Sequence, residues 1–194
     1  EDFRDRLSGQ ATGGGSLMKF APVLLAAALA FGGAAAPAMA QAYSPDTVKK
    51  SVTTADLAAV VGALGHQVLE EGKDDGVLVL AENPDQLKYV LLGTACDMDG
   101  VPGCQGVLMQ AQFELPPGTT YETVAQANLN YAALNVWVDF EQKSLGFTRY
   151  VVLDNGVTMA NLKSNVEVLL SLVGDAYPVA AGEPVPEEPA APSS

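Results

Sequence analysis

Short apolar segments separated by turn signals fill the middle of the sequence, and this pattern restricts the fold more than any other feature. Runs of this length, bounded by Gly, Pro, Asn and Asp, are typical of strands joined by tight turns. Most of them follow one another without a helix between them, which argues against the alternating βαβ pattern of parallel sheets. The predicted strands are 67–71, 77–81, 87–92, 106–115, 136–141 and 147–153.

Three segments with helical periodicity accompany these strands. The first, 53–65, begins at a pair of threonines and ends at a glycine. The second, 119–134, opens with Thr119 and Glu122, which have the spacing of a capping box. The third covers about 162–177. The predicted order, α-β-β-β-β-α-β-β-α, describes an α+β domain with an antiparallel β-sheet and flanking helices.

A secretory signal pattern precedes this region. Met18 and Lys19 are followed by an apolar stretch at 23–31, and Ala38-Met39-Ala40 is an A-x-A cleavage motif. We expect bacterial export, cleavage between Ala40 and Gln41, and a periplasmic or secreted mature chain. A retained membrane anchor is the alternative. Cleavage is favoured because the apolar stretch is shorter than the about 20 residues that span a bilayer. After cleavage no stable membrane insertion is expected.

These features divide the sequence into five predicted parts. Residues 1–17 are expected to be a non-native or mis-started leader, and 18–40 are the signal peptide. A polar lead-in, 41–52, precedes the folded domain, 53–177. Residues 178–194 are rich in Pro, Glu and Ala with almost nothing to bury, which predicts a disordered tail. A Pro-rich ligand for another protein is the functional alternative for that tail.

The charge of the chain excludes some classes of partner. The sequence has 23 acidic and 10 basic residues, and its formal net charge is −13. Nucleic-acid affinity comes largely from Lys and Arg that neutralise phosphates, so no nucleic-acid partner is expected. Anionic lipid is disfavoured for the same reason. The acidity favours solubility or attraction to basic partners.

The two cysteines, Cys96 and Cys104, are the strongest local signal. They flank a turn-rich loop, and in an oxidising compartment a disulfide is the expected outcome. Closing such a loop contributes about 2–3 kcal/mol to the free energy of unfolding. A redox couple is the alternative, but the spacing is not C-x-x-C, and Asp97 and Asp99 would raise a thiol pKa. Two thiols and the distant His66 are too few ligands for a metal site.

No catalytic residues are predicted. His66 is the single histidine, and no serine or cysteine around it suggests a triad. Carboxylates are available at Glu70, Glu71, Asp139 and Glu141, but nothing marks any two of them as an acid–base pair. The chain is therefore not expected to be an enzyme, and neither a cofactor nor a metal is predicted.

A candidate binding surface is predicted around the second helix and the strand after it. Asn128 and Asn130 are poor residues for a helix interior. They indicate either hydrogen bonds to a neighbouring strand or loop, the favoured interpretation, or a polar patch at a binding groove. Tyr131 is one of five aromatic residues around the second helix and the last two strands, and the favoured role of this cluster is in the core. Alternation places Trp137 on the strand face opposite Val136, and an exposed Trp137 would mark a dimer or polypeptide-binding surface.

Several segments together match a known family: Leu64-Gly65-His66, Asp74-Asp75-Gly76, the strand from Cys104 to Phe113, Ala127-Asn128-Leu129-Asn130, and the strand end from Tyr150 to Gly156. Over about residues 54–175 the chain resembles the YbjN-like proteins, whose domain is similar to the type III secretion chaperone fold. The second helix lacks the tryptophan of that family's usual signature.

The resemblance implies a chaperone-like or regulatory domain without catalytic residues. The function expected from it is non-enzymatic binding of a protein or peptide through the sheet face or a dimer groove. The expected partners are an envelope protein or peptide, and a second copy of the chain as a homodimer. The alternative function is a small-molecule or envelope-signal sensor acting on a regulatory partner, which a deep apolar pocket with convergent polar groups would favour.

Overall fold

A computed structural model describes residues 42–72 and 76–183 of the chain. Within these described parts, none of the helices combines the length and the hydropathy that a membrane span requires. The predicted features that lie outside the described residues are the leader (1–17), the signal peptide (18–40), the cleavage residues Ala40 and Gln41, the tip of the first hairpin (73–75) and most of the tail (184–194).

The main elements follow the predicted order. The helices are α1 (Thr54–Ala63), α2 (Tyr121–Asn130) and α3 (Met159–Ala180). The strands are β1 (Val48–Lys49), β2 (Gln67–Glu71), β3 (Leu78–Glu82), β4 (Lys88–Cys96), β5 (Cys104–Glu114), β6 (Asn135–Asp139), β7 (Ser144–Val152) and β8 (Val157–Thr158).

An antiparallel sheet of six strands organises the fold. Its strand order is β2-β3-β4-β5-β7-β6, and β1 pairs with β8 in a separate two-stranded ribbon. All three helices contribute to one hydrophobic core on one face of the sheet, where Leu57 of α1 and Leu169 of α3 share a cluster with Leu91 and Met109. The predicted α+β class, with an antiparallel sheet and flanking helices, is confirmed.

Local signals explain where α1 begins and ends. The Thr53 Oγ1 atom accepts a hydrogen bond from Asp56 N at 3.3 Å, and Asp56 Oδ2 accepts one from Thr53 N at 2.9 Å, which completes a capping box. Lys49 Nζ lies 2.7 Å from Asp56 Oδ1 and ties the lead-in to the helix. Gly65 ends α1 with a φ of 72°, a left-handed conformation that favours glycine.

Helix α2 differs from its prediction at both ends. Its capping box is formed by Thr120 and Thr123 rather than by Thr119 and Glu122, and Thr119 is buried. The helix ends at Asn130 rather than at Leu134, because Tyr131 leaves the helical conformation. This early end lets the chain turn, so that β6 starts at Asn135 beside β7.

The folded part is longer than predicted at both ends. The lead-in contains β1, and its residues Pro45 and Thr47 accept backbone hydrogen bonds from the first turn of α3. Helix α3 continues through Pro178 to Ala180, three residues beyond the predicted end at 177. Val179 and Ala180 are buried in the core, which explains why the helix does not stop at the proline.

Cys96 and Cys104 are joined by the predicted disulfide. They lie directly opposite one another on β4 and β5. The lead-in also meets this end of the sheet, since Val52 and Cys104 exchange two backbone hydrogen bonds of 2.9 Å. Ser51 Oγ donates a further bond of 2.8 Å to Pro102 O in the loop between the cysteines. The disulfide therefore lies where the β4–β5 hairpin and the lead-in meet.

Candidate functional site

The sheet face opposite the helices carries a continuous row of apolar side chains. Leu78, Leu92, Leu108 and Tyr150 lie directly opposite one another across β3, β4, β5 and β7. Adjacent side chains in such a register are neighbours on one face. We call the row and its apolar neighbours the open-face patch: Leu78, Leu80, Val90, Leu92, Leu108, Tyr150 and Val152.

The open-face patch is separate from the core and partly exposed. Val90 is buried but lies outside the core cluster that the helices share. The leucines are half-buried, whereas Tyr150 is 50% exposed and Val152 is 58% exposed. A contiguous apolar surface of this kind is therefore a candidate interaction site.

The Tyr150 ring is held in place on this face. Its hydroxyl lies 2.8 Å from Thr94 Oγ1, and the two groups share a hydrogen bond. The ring lies over Gly106, where a side chain would collide with the phenol oxygen. Glycine at this position lets the aromatic ring lie across the neighbouring strand. Tyr150 is therefore a positioned, half-exposed aromatic residue, the type enriched at the centres of protein interfaces.

Trp137 lies on the same sheet face but at the opposite corner. The register places it opposite Gly146, and the indole lies over that glycine. Trp137 and Val136 lie on opposite faces of β6, as the predicted alternation requires, because Val136 is buried in the core. The polar residues Gln110 and Gln112 of β5 occupy the face between Trp137 and the open-face patch. Trp137 is thus separate from the patch.

Replacing Gly146 with alanine should displace the indole of Trp137. A Cβ at this position would collide with the indole ring, and overpacking of this kind costs about 1–3 kcal/mol. Trp137 is the single tryptophan of the chain, so its fluorescence in a urea titration reports both the indole environment and the stability. Gly76→Ala is the matched control, because nothing lies within 4 Å of its added Cβ and the residue lies outside the helices, where alanine would itself change stability. Unchanged emission and stability in Gly146→Ala would show that the two residues do not pack.

The other predicted surface residues lie with α2, on the helix side of the sheet. Asn128 Nδ2 donates to Val136 O and Asn128 Oδ1 accepts from Val136 N, both at 2.9 Å, so this residue makes the strand contacts that the favoured interpretation expects. Asn130 is exposed, and its Oδ1 accepts a bond from Gln126 Nε2 at 2.8 Å. Tyr131 is half-buried against the core. The structure does not bring these residues and Trp137 together on one surface.

A sequence signal for the open-face patch exists in β4. Tyr89, Val90, Leu91 and Leu92 are consecutive apolar residues, so the strand is apolar on both faces. In an antiparallel sheet with one solvated face, apolar and polar residues alternate instead. A strand that breaks this alternation is typical of a sheet whose two faces are both covered.

His66 is positioned by the core and lies away from the open-face patch. Its Nδ1 atom is 2.8 Å from the Tyr89 hydroxyl, and the two rings make an edge-to-face contact. Desolvation lowers the pKa of His66, with a further decrease from Lys163 and an opposing increase from Glu167. Burial raises the pKa of the Tyr89 phenol. These contacts give His66 a structural role at the junction of α1 and β2.

Stability should fall as the pH falls below the ordinary pKa of His66. Because folding lowers this pKa, the unfolded chain takes up a proton at His66 below about pH 6.5, before the folded chain does, and this favours unfolding. The loss should develop between that pH and the lower pKa of the folded state, and should be constant below both. Thermal unfolding of the wild type and His66→Phe between pH 8 and 5 measures this contribution. An identical pH dependence in the two proteins would contradict it.

A polar pocket of about 300 Å³ lies at the end of the sheet beside α1. Its lining comes from strand ends and turns: Gly65, Gln67, Glu82, Asn83, Pro84 and Gln86. This lining differs from the deep apolar pocket that a small-molecule sensor would favour. Within residues 42–72 and 76–183, no three side chains of His, Cys, Asp or Glu come together as a metal site.

Comparison with protein families gives one match that covers most of the chain. The YbjN family model, whose description reads "Putative bacterial sensory transduction regulator", matches residues 44–181. The match begins within the lead-in and ends one residue after α3. No curated protein matches the chain.

Several solved structures have a similar fold at low sequence identity. YbjN from E. coli is 13% identical, with a TM-score of 0.46 over 62% of this chain and 84% of that chain. The ExsC–ExsE complex gives 15% identity and a TM-score of 0.44, over 61% of this chain and 85% of that chain. The HopA1–SchA chaperone–effector complex is 14% identical, with a TM-score of 0.43 over 59% of this chain and 85% of that chain.

Proposed function

The chain belongs to the YbjN family, and we propose that it is an exported, non-enzymatic domain that binds a segment of another protein on its open-face patch. The observation that carries this proposal is the apolar row from Leu78 to Tyr150, which crosses four strands on the face opposite the helices. Burying the exposed parts of such a row would be favourable, since apolar surface gains about 25 cal/mol for each Å² removed from water.

The dimensions of the row suit a protein segment. Strands are about 4.8 Å apart, so a row across four strands is roughly 14 Å long. An α-helix with its side chains is about 10 Å wide and could cover the patch. The half-exposed Tyr150, fixed by Thr94, would supply a rigid aromatic anchor at one end. The patch therefore fits an amphipathic segment of a partner protein.

Two features of the sequence support export. The pattern from Met18 to Ala40 has the three regions of a bacterial secretory signal. Cys96 and Cys104 are placed to form a disulfide, which persists in oxidising compartments such as the periplasm. We propose the periplasm as the location of the mature chain and an envelope protein as its partner.

Site-specific photocrosslinking in intact cells tests this function. A photoreactive residue at position 108 lies within the open-face patch, and one at position 171 is the control, because Ser171 is an exposed residue of α3. We expect a discrete crosslinked protein from position 108 and none from position 171, with the adduct reduced by Leu92→Glu. Equal crosslinking from both positions, or none from position 108, would contradict the proposal.

A further inference from the structure

A second exposed apolar surface lies on α2, away from the open-face patch. Tyr121 is 75% exposed and Leu129 is 78% exposed, and exposed Ala125 lies between them at helical spacing. The Phe140 ring packs edge-to-face on Tyr121, with ring centroids 4.9 Å apart. We call Tyr121, Ala125, Leu129 and Phe140 the α2 stripe. The opposite side of α2 is also apolar, because Val124 and Ala127 are buried in the core.

The C-terminal end of α3 lies beside the start of α2. Thr123 Oγ1 donates a hydrogen bond of 2.8 Å to Ala180 O. Gly118 and Gly182 approach so closely that neither has space for a side chain. Tyr121 is the third residue after Gly118, and three residue steps of chain reach at most about 11 Å. The described chain therefore ends, at Glu183, close to the aromatic end of the α2 stripe.

The sequence that follows has the spacing of a polyproline ligand. Pro186, Pro189 and Pro192 are three residues apart. A polyproline II helix has three residues per turn, so these prolines would form one edge of it. Glu187 and Glu188 would lie on the other two edges. Proline edges of this kind bind surfaces that carry exposed aromatic rings.

We propose that residues 184–194 bind the α2 stripe of the same molecule through this proline edge. At about 3.1 Å per residue, the segment from Glu183 to Pro192 reaches roughly 28 Å, more than the roughly 12 Å from Tyr121 to Leu129. Attachment beside the site gives the segment a local concentration on the order of millimolar.

Tyrosine nitration with peptide mass spectrometry tests this contact. The full chain is compared with a variant that ends at Glu183, and Tyr150 on the open-face patch is the internal control, since it is also exposed. We expect the truncation to raise the nitration rate of Tyr121 at least about threefold and to leave that of Tyr150 unchanged. A threefold change corresponds to a dissociation constant of about half the local concentration of the tail. A full-chain variant with Pro186, Pro189 and Pro192 changed to serine should give the same increase.

Two results would overturn the proposal. Equal nitration of Tyr121 in the full chain, the truncated variant and the serine variant would show that the tail does not cover the stripe. A nitration rate of Tyr121 that stays low after truncation but rises when the protein is diluted would instead assign the stripe to a contact with a second copy. A synthetic peptide of residues 184–194 that protects Tyr121 in the truncated variant, while its serine analogue does not, would support direct binding.

Discussion

Replacing Asn128 with alanine should lower the free energy of unfolding by about 2–4 kcal/mol, since it leaves two buried backbone groups of β6 without partners. The Asn128 amide donates to Val136 O and accepts from Val136 N, and it donates a third bond of 3.0 Å to Val124 O. Val136 itself is buried. For a domain of this size the melting temperature should fall by roughly 6–15 °C, measured by thermal unfolding followed by circular dichroism.

The geometry of Asn128 predicts which substitutions share this loss. Aspartate can still accept from Val136 N but cannot donate to Val136 O, so Asn128→Asp should also destabilise. Asn130→Ala is the matched control, because Asn130 is an exposed amide on the same helix, bonded to Gln126 on the helix surface. Surface substitutions of this kind usually change stability by no more than about 0.5 kcal/mol. Equal effects of Asn128→Ala and Asn130→Ala would contradict this account.

The bond between Asn128 and Val136 should also protect the outer edge of the sheet. Strand β6 is the last strand of the sheet, and edge strands expose backbone groups that can pair with another chain. In this protein the side-chain amide of Asn128 occupies both backbone groups of Val136. We therefore expect Asn128→Ala to aggregate more readily than Asn130→Ala at equal fractions unfolded, as measured by light scattering.

Reducing the disulfide should lower the free energy of unfolding by about 2–3 kcal/mol, the value expected for a loop of this length. The bond joins Cys96 and Cys104 where β4 and β5 meet, and Cys104 is fully buried and bonded to Val52. Its loss should therefore also loosen the lead-in. Urea unfolding of the oxidised and the reduced protein measures the first effect, and amide hydrogen exchange around Val52 measures the second.

A variant that lacks both cysteines separates the effect of the disulfide on stability from any effect of the reducing reagent. Cys96→Ser with Cys104→Ala should have the stability of the reduced wild type, and a dithiol reductant should not change it further. If the oxidised and the reduced wild type unfold at the same urea concentration, the disulfide does not stabilise the domain.

The fold could be predicted from the sequence because its signals are local. Gly65 ends α1, the apolar runs are short, and turn residues lie between consecutive strands, so periodicity and turn chemistry are enough to place most elements. The misplaced boundaries depend on long-range contacts. Helix α2 ends early because β6 must pair with β7, and α3 passes Pro178 because Val179 and Ala180 are buried.

The open-face patch could not be predicted in the same way, because it depends on strand register. Leu78, Leu92, Leu108 and Tyr150 are far apart in the sequence and become one row only when four strands are aligned. Strand alternation instead pointed to Trp137 as the aromatic residue that would mark a binding surface if exposed, because it places Trp137 and Val136 on opposite faces of the strand. The structure places that residue over Gly146, with glutamines between it and the patch.

The most direct test of the proposed function is the affinity of the purified domain for the partner identified by crosslinking. Isothermal titration calorimetry would compare the wild type with Leu108→Glu in the patch, with Trp137→Glu on the same face, and with Ser171→Glu on α3, after circular dichroism has shown that each is folded. If the open-face patch is the binding surface, Leu108→Glu should weaken binding by at least about tenfold, or 1.4 kcal/mol, while the other two variants bind like the wild type. Wild-type affinity in Leu108→Glu would show that the partner binds elsewhere.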